Sequence, residues 1–150
     1  MPALSTETPL GTVTLIEADG ALVALDWGGS ETDATPLLKE AKAQLAAYFS
    51  HDLTEFDLPL VPNVSETQKR FCEALSAIPF GETLTYGEIA EKTGLSAQAA
   101  GQCCGANPIA IIIPCHRVIG ANGLGGFSAR GGVETKVALL KHEGAASLLI

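Results

Sequence analysis

The chain has 150 residues, 47% hydrophobic and 17% charged, enough apolar matter for one compact domain or two small lobes and too much for a disordered chain. No apolar run reaches the roughly 18 residues of a membrane span, Ile109 to Ile113 being enclosed by prolines, and no secretion signal opens the sequence, so a cytoplasmic protein with no membrane partner is expected. The formal net charge of −8 argues on its face against a nucleic-acid partner, because phosphate binding draws on lysine and arginine.

Thr12 to Ile16 and Ala21 to Trp27 are β-rich runs joined through Asp19-Gly20, a dipeptide that tolerates positive φ, and together they predict an antiparallel hairpin. Thr35-Pro36 opens a helix with an N-cap oxygen and a proline at the first position. Leu38, Ala41, Leu45 and Tyr48 share one face of that helix, which should lie on the sheet. Phe56 to Val61 reads as a further short strand edged by Pro59 and Pro62, and Val61 to Ser65 as a linker.

Beyond the linker, Ser65 and Gln68 form a capping-box pattern ahead of Phe71, Ala74, Leu75 and Ile78, which keep helical spacing. Thr85 and Glu88 form a second such pattern for a helix carrying Ile89 and Ala90 inward and ending at Gly94. Ser96 caps the next helix, which Asn107-Pro108 stops. Two short helices joined at a glycine outline a helix-turn-helix, an outline that ordinary helix pairs share. Ile109 to Ile113 is a β-branched run without polar alternation and reads as a strand covered on both sides. A glycine-rich loop follows, then a closing helix around Val133 to His142 with Val137 and Leu140 inward.

Cys115 stands at the end of the buried run and is followed by His116 and Arg117. A thiol is nucleophilic as its thiolate, which an imidazole or a cation favours, so this trio fits a reactive cysteine. The alternative is a structural cysteine before a surface His-Arg pair, since neighbours on a strand point to opposite faces. Cys72, Cys103, Cys104 and Cys115 are too few and too clustered for a disulfide framework and are expected as thiols. Cys103, Cys104, Cys115 and His116 match no usual paired-ligand spacing, so no metal and no cofactor is expected.

The run Asn107-Pro108-Ile109-Ala110-Ile111-Ile112-Ile113-Pro114-Cys115-His116-Arg117-Val118-Ile119 closely resembles the active-site signature of the O6-alkylguanine-DNA alkyltransferases. These are suicide repair proteins that draw an alkyl group from guanine onto a cysteine. The likeness extends through Ile78 to Thr83, Tyr86 to Ala90 and Leu139 to Gly144, and from Thr8 to Gly11 onward in the N-terminal part. It implies an α+β fold. Residues 1–64 would form a small ribonuclease H-like lobe of antiparallel sheet plus helix, and residues 65–150 a helical lobe with the helix-turn-helix and the active-site cysteine.

By this resemblance Cys115 is the alkyl acceptor, His116 and Glu143 complete a Cys, water, His, Glu relay, and Asn107 ties the DNA-binding helix to the site. Tyr86 would donate its hydroxyl to the flipped base, the Val118 backbone would accept from the guanine amine, and Ser128 would donate toward O6. Ala97, Ala99, Gly101 and Arg117 belong to the expected DNA-contacting set. The partner implied is alkylated double-stranded DNA held by its minor groove, the protein acting as a monomer, with O4-alkylthymine a second candidate lesion.

Two departures stand out. Gln98 occupies the place of the family's intercalating arginine, and the loop differs, with Phe127 for a tyrosine, one residue fewer before Leu124 and about two more near Ala129-Arg130. Gln98 leaves open a lesion-binding relative without transfer, or an acceptor for a non-duplex substrate. The charge divides unevenly: residues 1–68 hold two basic and eleven acidic side chains, net −9, and residues 69–150 seven basic and six acidic, net +1. The acidity that argued against DNA therefore lies outside the lobe expected to bind it.

Overall fold

A computed structural model of the chain describes residues 1–125 and 132–145. It divides into two units, Met1–Asn63 and Val64–Ile150.

The first unit is a three-stranded antiparallel meander, β1 (Ala3–Thr8), β2 (Gly11–Ala18) and β3 (Ala21–Trp27), with one helix, α1 (Pro36–Phe49). The β2–β3 turn has positive φ at both Asp19 (50°) and Gly20 (79°), as the dipeptide predicts. A register shift at Ile16/Glu17 leaves Val23 as the extra residue of β3. Val13, Leu15, Leu22 and Leu25 are buried, as are Leu38, Ala41, Leu45 and Tyr48 of α1, which packs on β1 and β2. Each large apolar side chain so buried contributes about 1.5–3 kcal/mol. Thr35 caps α1 by accepting from the Leu38 amide.

One reading of this unit is corrected, and one element is new. Phe56 to Val61 is not a strand but a single bridge between Leu22 and Leu60, where the Leu22 amide donates to Pro59 and the Val61 amide returns to Leu22. Pro59 and Pro62 have no N–H, so the ladder stops there. Strand β1, by contrast, was not foreseen. Its Ser5, Thr6, Glu7 and Thr8 lack an apolar alternation; it is held by β2 on one side and, on the other, by the Ser5 amide to Glu31 and the Asp33 amide to Ala3.

The second unit contains α2 (Glu66–Ser76), β4 (Leu84–Thr85), α3 (Tyr86–Thr93), α4 (Ala97–Gly105), a 3-10 turn (Cys115–Arg117), β5 (Val118–Ile119) and α5 (Val133–Glu143). β4 and β5 pair in parallel. Ser65 caps α2, but Gln68 does not complete the capping box; its buried amide donates instead to the Cys103 carbonyl at 2.8 Å, near the C-terminal end of α4. The Thr85–Glu88 box is complete, and α3 ends at Gly94 in the left-handed conformation. Ser96 caps α4 directly after it. Helix α5 turns Lys136, Leu139, Leu140 and Glu143 inward, while Val137, expected inward, is only half-buried.

The run Ile109 to Ile113 is buried throughout, yet it forms no strand. Its β-branched composition reported burial; its backbone is satisfied by turns and by one side chain, which together shape the site described next.

Candidate active site

Asn107, just past α4, bonds both ends of the run that follows. Its Oδ1 accepts from the Ile109 amide at 3.0 Å and its Nδ2 donates to the Ile113 carbonyl at 2.8 Å. Within the loop so closed, the Ile112 amide bonds the Ala110 carbonyl across Ile111, a γ-turn with φ of 74° at a buried β-branched residue. That conformation stores roughly 1–3 kcal/mol of strain. A second γ-turn, of the favourable inverse form, spans Pro114 (φ −84°, ψ 67°), with the Cys115 amide on the Ile113 carbonyl at 2.9 Å. Cys115 thus starts the 3-10 turn from a rigidly folded support rather than from a strand end.

Cys115 is 5% exposed. Burial pushes it above the ordinary cysteine value, while the Asn107 side chain as donor and the Lys136 ammonium pull in the opposite direction. His116 is fully buried, its Nε2 at 2.8 Å from Glu143 Oε2. Burial lowers its proton affinity and Glu143 restores part of it, so the ring is held neutral. A carboxylate only accepts, so the proton sits on Nε2 and Nδ1 presents a bare lone pair. That Nδ1 is buried with no hydrogen-bond partner among the described residues.

Arg117, expected in the DNA-contacting set, faces inward. Its guanidinium is buried and reaches Glu143 Oε1 from Nε (2.8 Å), Glu143 Oε2 from Nη2 (2.9 Å) and the Ile78 carbonyl from Nη1 (2.6 Å), with the Phe80 ring 5.9 Å away. Nε, Nη1 and Nη2 each donate inward, and the fork on the carboxylate holds Glu143 in place. The sequence could not supply this, because the partner lies 26 residues away.

Tyr86 opens α3 and is half-buried. A Cβ on Gly101 of α4 would lie 4.0 Å from its ring, and a Cβ on Gly125 would lie 2.7 Å from Cε2 and 2.8 Å from the hydroxyl. At Gly101 that is ordinary van der Waals contact, whereas at Gly125 a side chain would collide with the ring, so glycine there lets the backbone close on Tyr86. On α4, Ala97 and Gln98 are exposed, and Ala99 and Gly101 half-buried. Val118 is fully buried on β5, in register with Leu84. Ser128, with Phe127 and Arg130, lies outside the described residues. Sequence reasoning missed Lys136, fully buried with its Nζ 3.5 Å from the Tyr86 hydroxyl. Among the described residues no cluster of three or more metal-ligating side chains occurs.

The 6-O-methylguanine DNA methyltransferase family matches the chain in two parts, its ribonuclease-like domain over residues 4–62 and its DNA binding domain over residues 66–145. The chain belongs to this family. A methylated-DNA--protein-cysteine methyltransferase of Mycolicibacterium paratuberculosis is 45% identical over 148 residues, 91% of this chain and 88% of the relative. Another protein of that name, from Methanosarcina acetivorans, is 51% identical over 109 residues, 71% of this chain and 69% of its own. Among solved structures, Mycobacterium tuberculosis OGT in complex with DNA superposes with a TM-score of 0.87 at 40% identity, covering 99% of this chain and 98% of that one. The methyltransferase family thus accounts for both units, and the buried Cys115, His116 and Glu143 fall inside its DNA binding domain.

Proposed function

We propose that the protein repairs DNA by taking the alkyl group of O6-alkylguanine onto Cys115, once per molecule and irreversibly. The observation that carries this reading is the content of the 3-10 turn: a buried cysteine and, next in the chain, a neutral histidine held by Glu143 with Nδ1 left bare. The thiol proton passes through a water to His116 Nδ1, and Glu143 stabilises the imidazolium that forms. The Cys115 thiolate then attacks the carbon bound to O6; a sulfur–carbon bond forms, the carbon–oxygen bond breaks, and guanine departs as an anion that takes up a proton. The Tyr86 hydroxyl donates to that departing base, the Val118 backbone accepts from the guanine amine, and Ser128 has the role of donor toward O6.

Helices α3 and α4 act as the helix-turn-helix, with Ala97, Ala99 and Gly101 allowing α4 close to a minor-groove wall and the target base extruded. The protein acts as a monomer. Net charge of +1 over residues 69–150 supports weak, salt-sensitive DNA affinity. A relative that only binds lesions has no use for the relay, so retention of Cys115, His116 and Glu143 favours transfer. The test is incubation with duplex DNA carrying O6-methylguanine, followed by peptide mass. One added methyl on Cys115 is expected, and an unmodified Cys115 after full incubation overturns the reading.

A further inference from the structure

Helix α4 joins two parts of the molecule. Its first turn carries the exposed Ala97 and Gln98, and its last turn leads through Ala106 to Asn107, which closes the loop ending at Cys115. That last turn is held from another helix. Gln68 of α2, 7% exposed, donates from Nε2 to the Cys103 carbonyl at 2.8 Å, and the same amide nitrogen lies 3.8 Å from the sulfur of Cys72, one turn further along α2. A carbonyl oxygen only accepts, and burial keeps Cys72 protonated, so the NH2 group faces both and the orientation of the amide is settled. The Ala106 amide reaches the same Cys103 carbonyl at 3.2 Å, and the Asn107 amide reaches the Cys104 carbonyl at 3.3 Å. Gln68 therefore grips the turn from which Asn107 starts.

We propose that Gln68 is a positioning residue of alkyl transfer: it fixes the last turn of α4, and with it the span from the DNA-facing turn of that helix to the Cys115 sulfur. This rests on the proposed readings of α4 as the helix at the duplex and of Cys115 as alkyl acceptor. Helix α4 is built largely of small residues, Ala97, Ala99, Ala100, Gly101 and Gly105, whose low ridges interlock little with a neighbouring helix. A directed bond to its backbone supplies the register that such side chains do not. The glutamine of a capping box bonds the start of its own helix; here the side chain is spent on α4 instead. In-line displacement has a narrow tolerance, and a misplacement of about 1 Å can cost on the order of a hundredfold in rate. An α4 free to slide would still meet DNA but would deliver the base out of line with the sulfur.

Gln68→Met tests this. The Cys103 carbonyl keeps the Ala106 amide in that variant, so no acceptor is stranded and the chain should fold. On duplex DNA carrying O6-methylguanine, the Kd should stay unchanged while methyl transfer at saturating DNA, counted per folded molecule, slows about tenfold. Capture of Cys115 by iodoacetamide, which needs no alignment by α4, should keep its original rate. Amide hydrogen exchange should quicken at Ala106 and Asn107 and stay unchanged in α3. A saturating rate that does not fall overturns the positioning role, whatever happens to the Kd; so does iodoacetamide capture slowed as much as methyl transfer, or exchange that does not quicken. Should Gln68→Met not fold, Gln68→Ser, polar but too short to reach Cys103, replaces it with the same outcomes expected. An original chain that takes no methyl from DNA refutes the proposed function, whereas quickened exchange in the variant leaves the hold of Gln68 on α4 standing.

Discussion

Glu143 grips Arg117 in fork fashion, Oε1 to Nε at 2.8 Å and Oε2 to Nη2 at 2.9 Å, with the carboxylate side chain fully buried. Two opposite charges held this way tolerate joint removal far better than the loss of one partner. Glu143→Leu should therefore destabilise by about 3–5 kcal/mol, because it strands a buried guanidinium. Adding Arg117→Met to that variant should recover part of the loss, although the Ile78 carbonyl also loses its donor. Urea unfolding of the two singles and the double measures this. A double variant as unstable as the sum of the singles contradicts the pairing, and methyl transfer should fall in every variant that lacks Glu143.

The titration shifts place maximum stability near neutral pH. His116 has its proton affinity lowered by burial, so below about pH 6.5 the unfolded chain takes up a proton that the folded chain refuses. Stability then falls as pH falls. Burial raises Cys72, Cys103, Cys104 and Cys115, so above about pH 8.5 the unfolded thiols ionise while the folded ones keep their protons, and stability falls as pH rises. Burial raises Tyr86 as well, while Lys136, lowered by burial, runs the other way on the alkaline side, one group against five. Urea midpoints across pH should show both limbs. Cys104→Ala should flatten the alkaline limb and His116→Gln the acid limb; limbs of unchanged slope would show that these groups do not set them.

Ile111 gives a test by inversion of sign. At an ordinary site glycine is less favourable than alanine by roughly 0.5–1 kcal/mol through backbone entropy. At φ of 74° a β-carbon is strained, and glycine is not. Both Ile111→Ala and Ile111→Gly lose a fully buried side chain, about 2–5 kcal/mol in the alanine case. The glycine variant should nevertheless be the more stable of the two by about 1 kcal/mol. Thermal and urea unfolding of the pair decide this, and an alanine variant at least as stable would mean that the γ-turn carries no strain.

The same segment shows what could be read from the residues and what could not. Asp19-Gly20, Thr35-Pro36, Thr85 with Glu88, and Gly94 each specify local backbone through their own chemistry, and each stands where that chemistry puts it. Ile109 to Ile113 was read as a strand because β-branched residues report burial, whereas its conformation is decided by Asn107, which bonds the loop at both ends. Strand β1 escaped notice since a polar edge strand takes its stability from its neighbours. Lys136 was invisible for a related reason. Of the two residues expected inward on α5, Leu140 is buried and Val137 only half-buried, and Lys136 shares the face of Leu140 one turn earlier. Arg117 and Glu143 were each singled out, but their joining is a tertiary fact that no local spacing encodes.

Gln98 carries the remaining departure from the family's pattern. It is exposed on the first turn of α4, beside Ala97, and that helix contains no charged residue. Extruding a base costs a few kcal/mol of stacking and pairing, which a planar cation offsets better than an amide. Gln98→Arg should therefore speed methyl transfer from duplex DNA by about tenfold, equivalent to about 1.4 kcal/mol, and change the rate on single-stranded DNA little, since there the base is already free. If the arginine also meets a phosphate, the logarithm of affinity should fall more steeply with salt, by up to about 0.9 in slope. Single-turnover rates on the two substrates, with the salt dependence of binding, separate these effects. Equal acceleration on duplex and single strand would mean that extrusion is not the slow step, and that the glutamine limits simple attraction to the backbone instead.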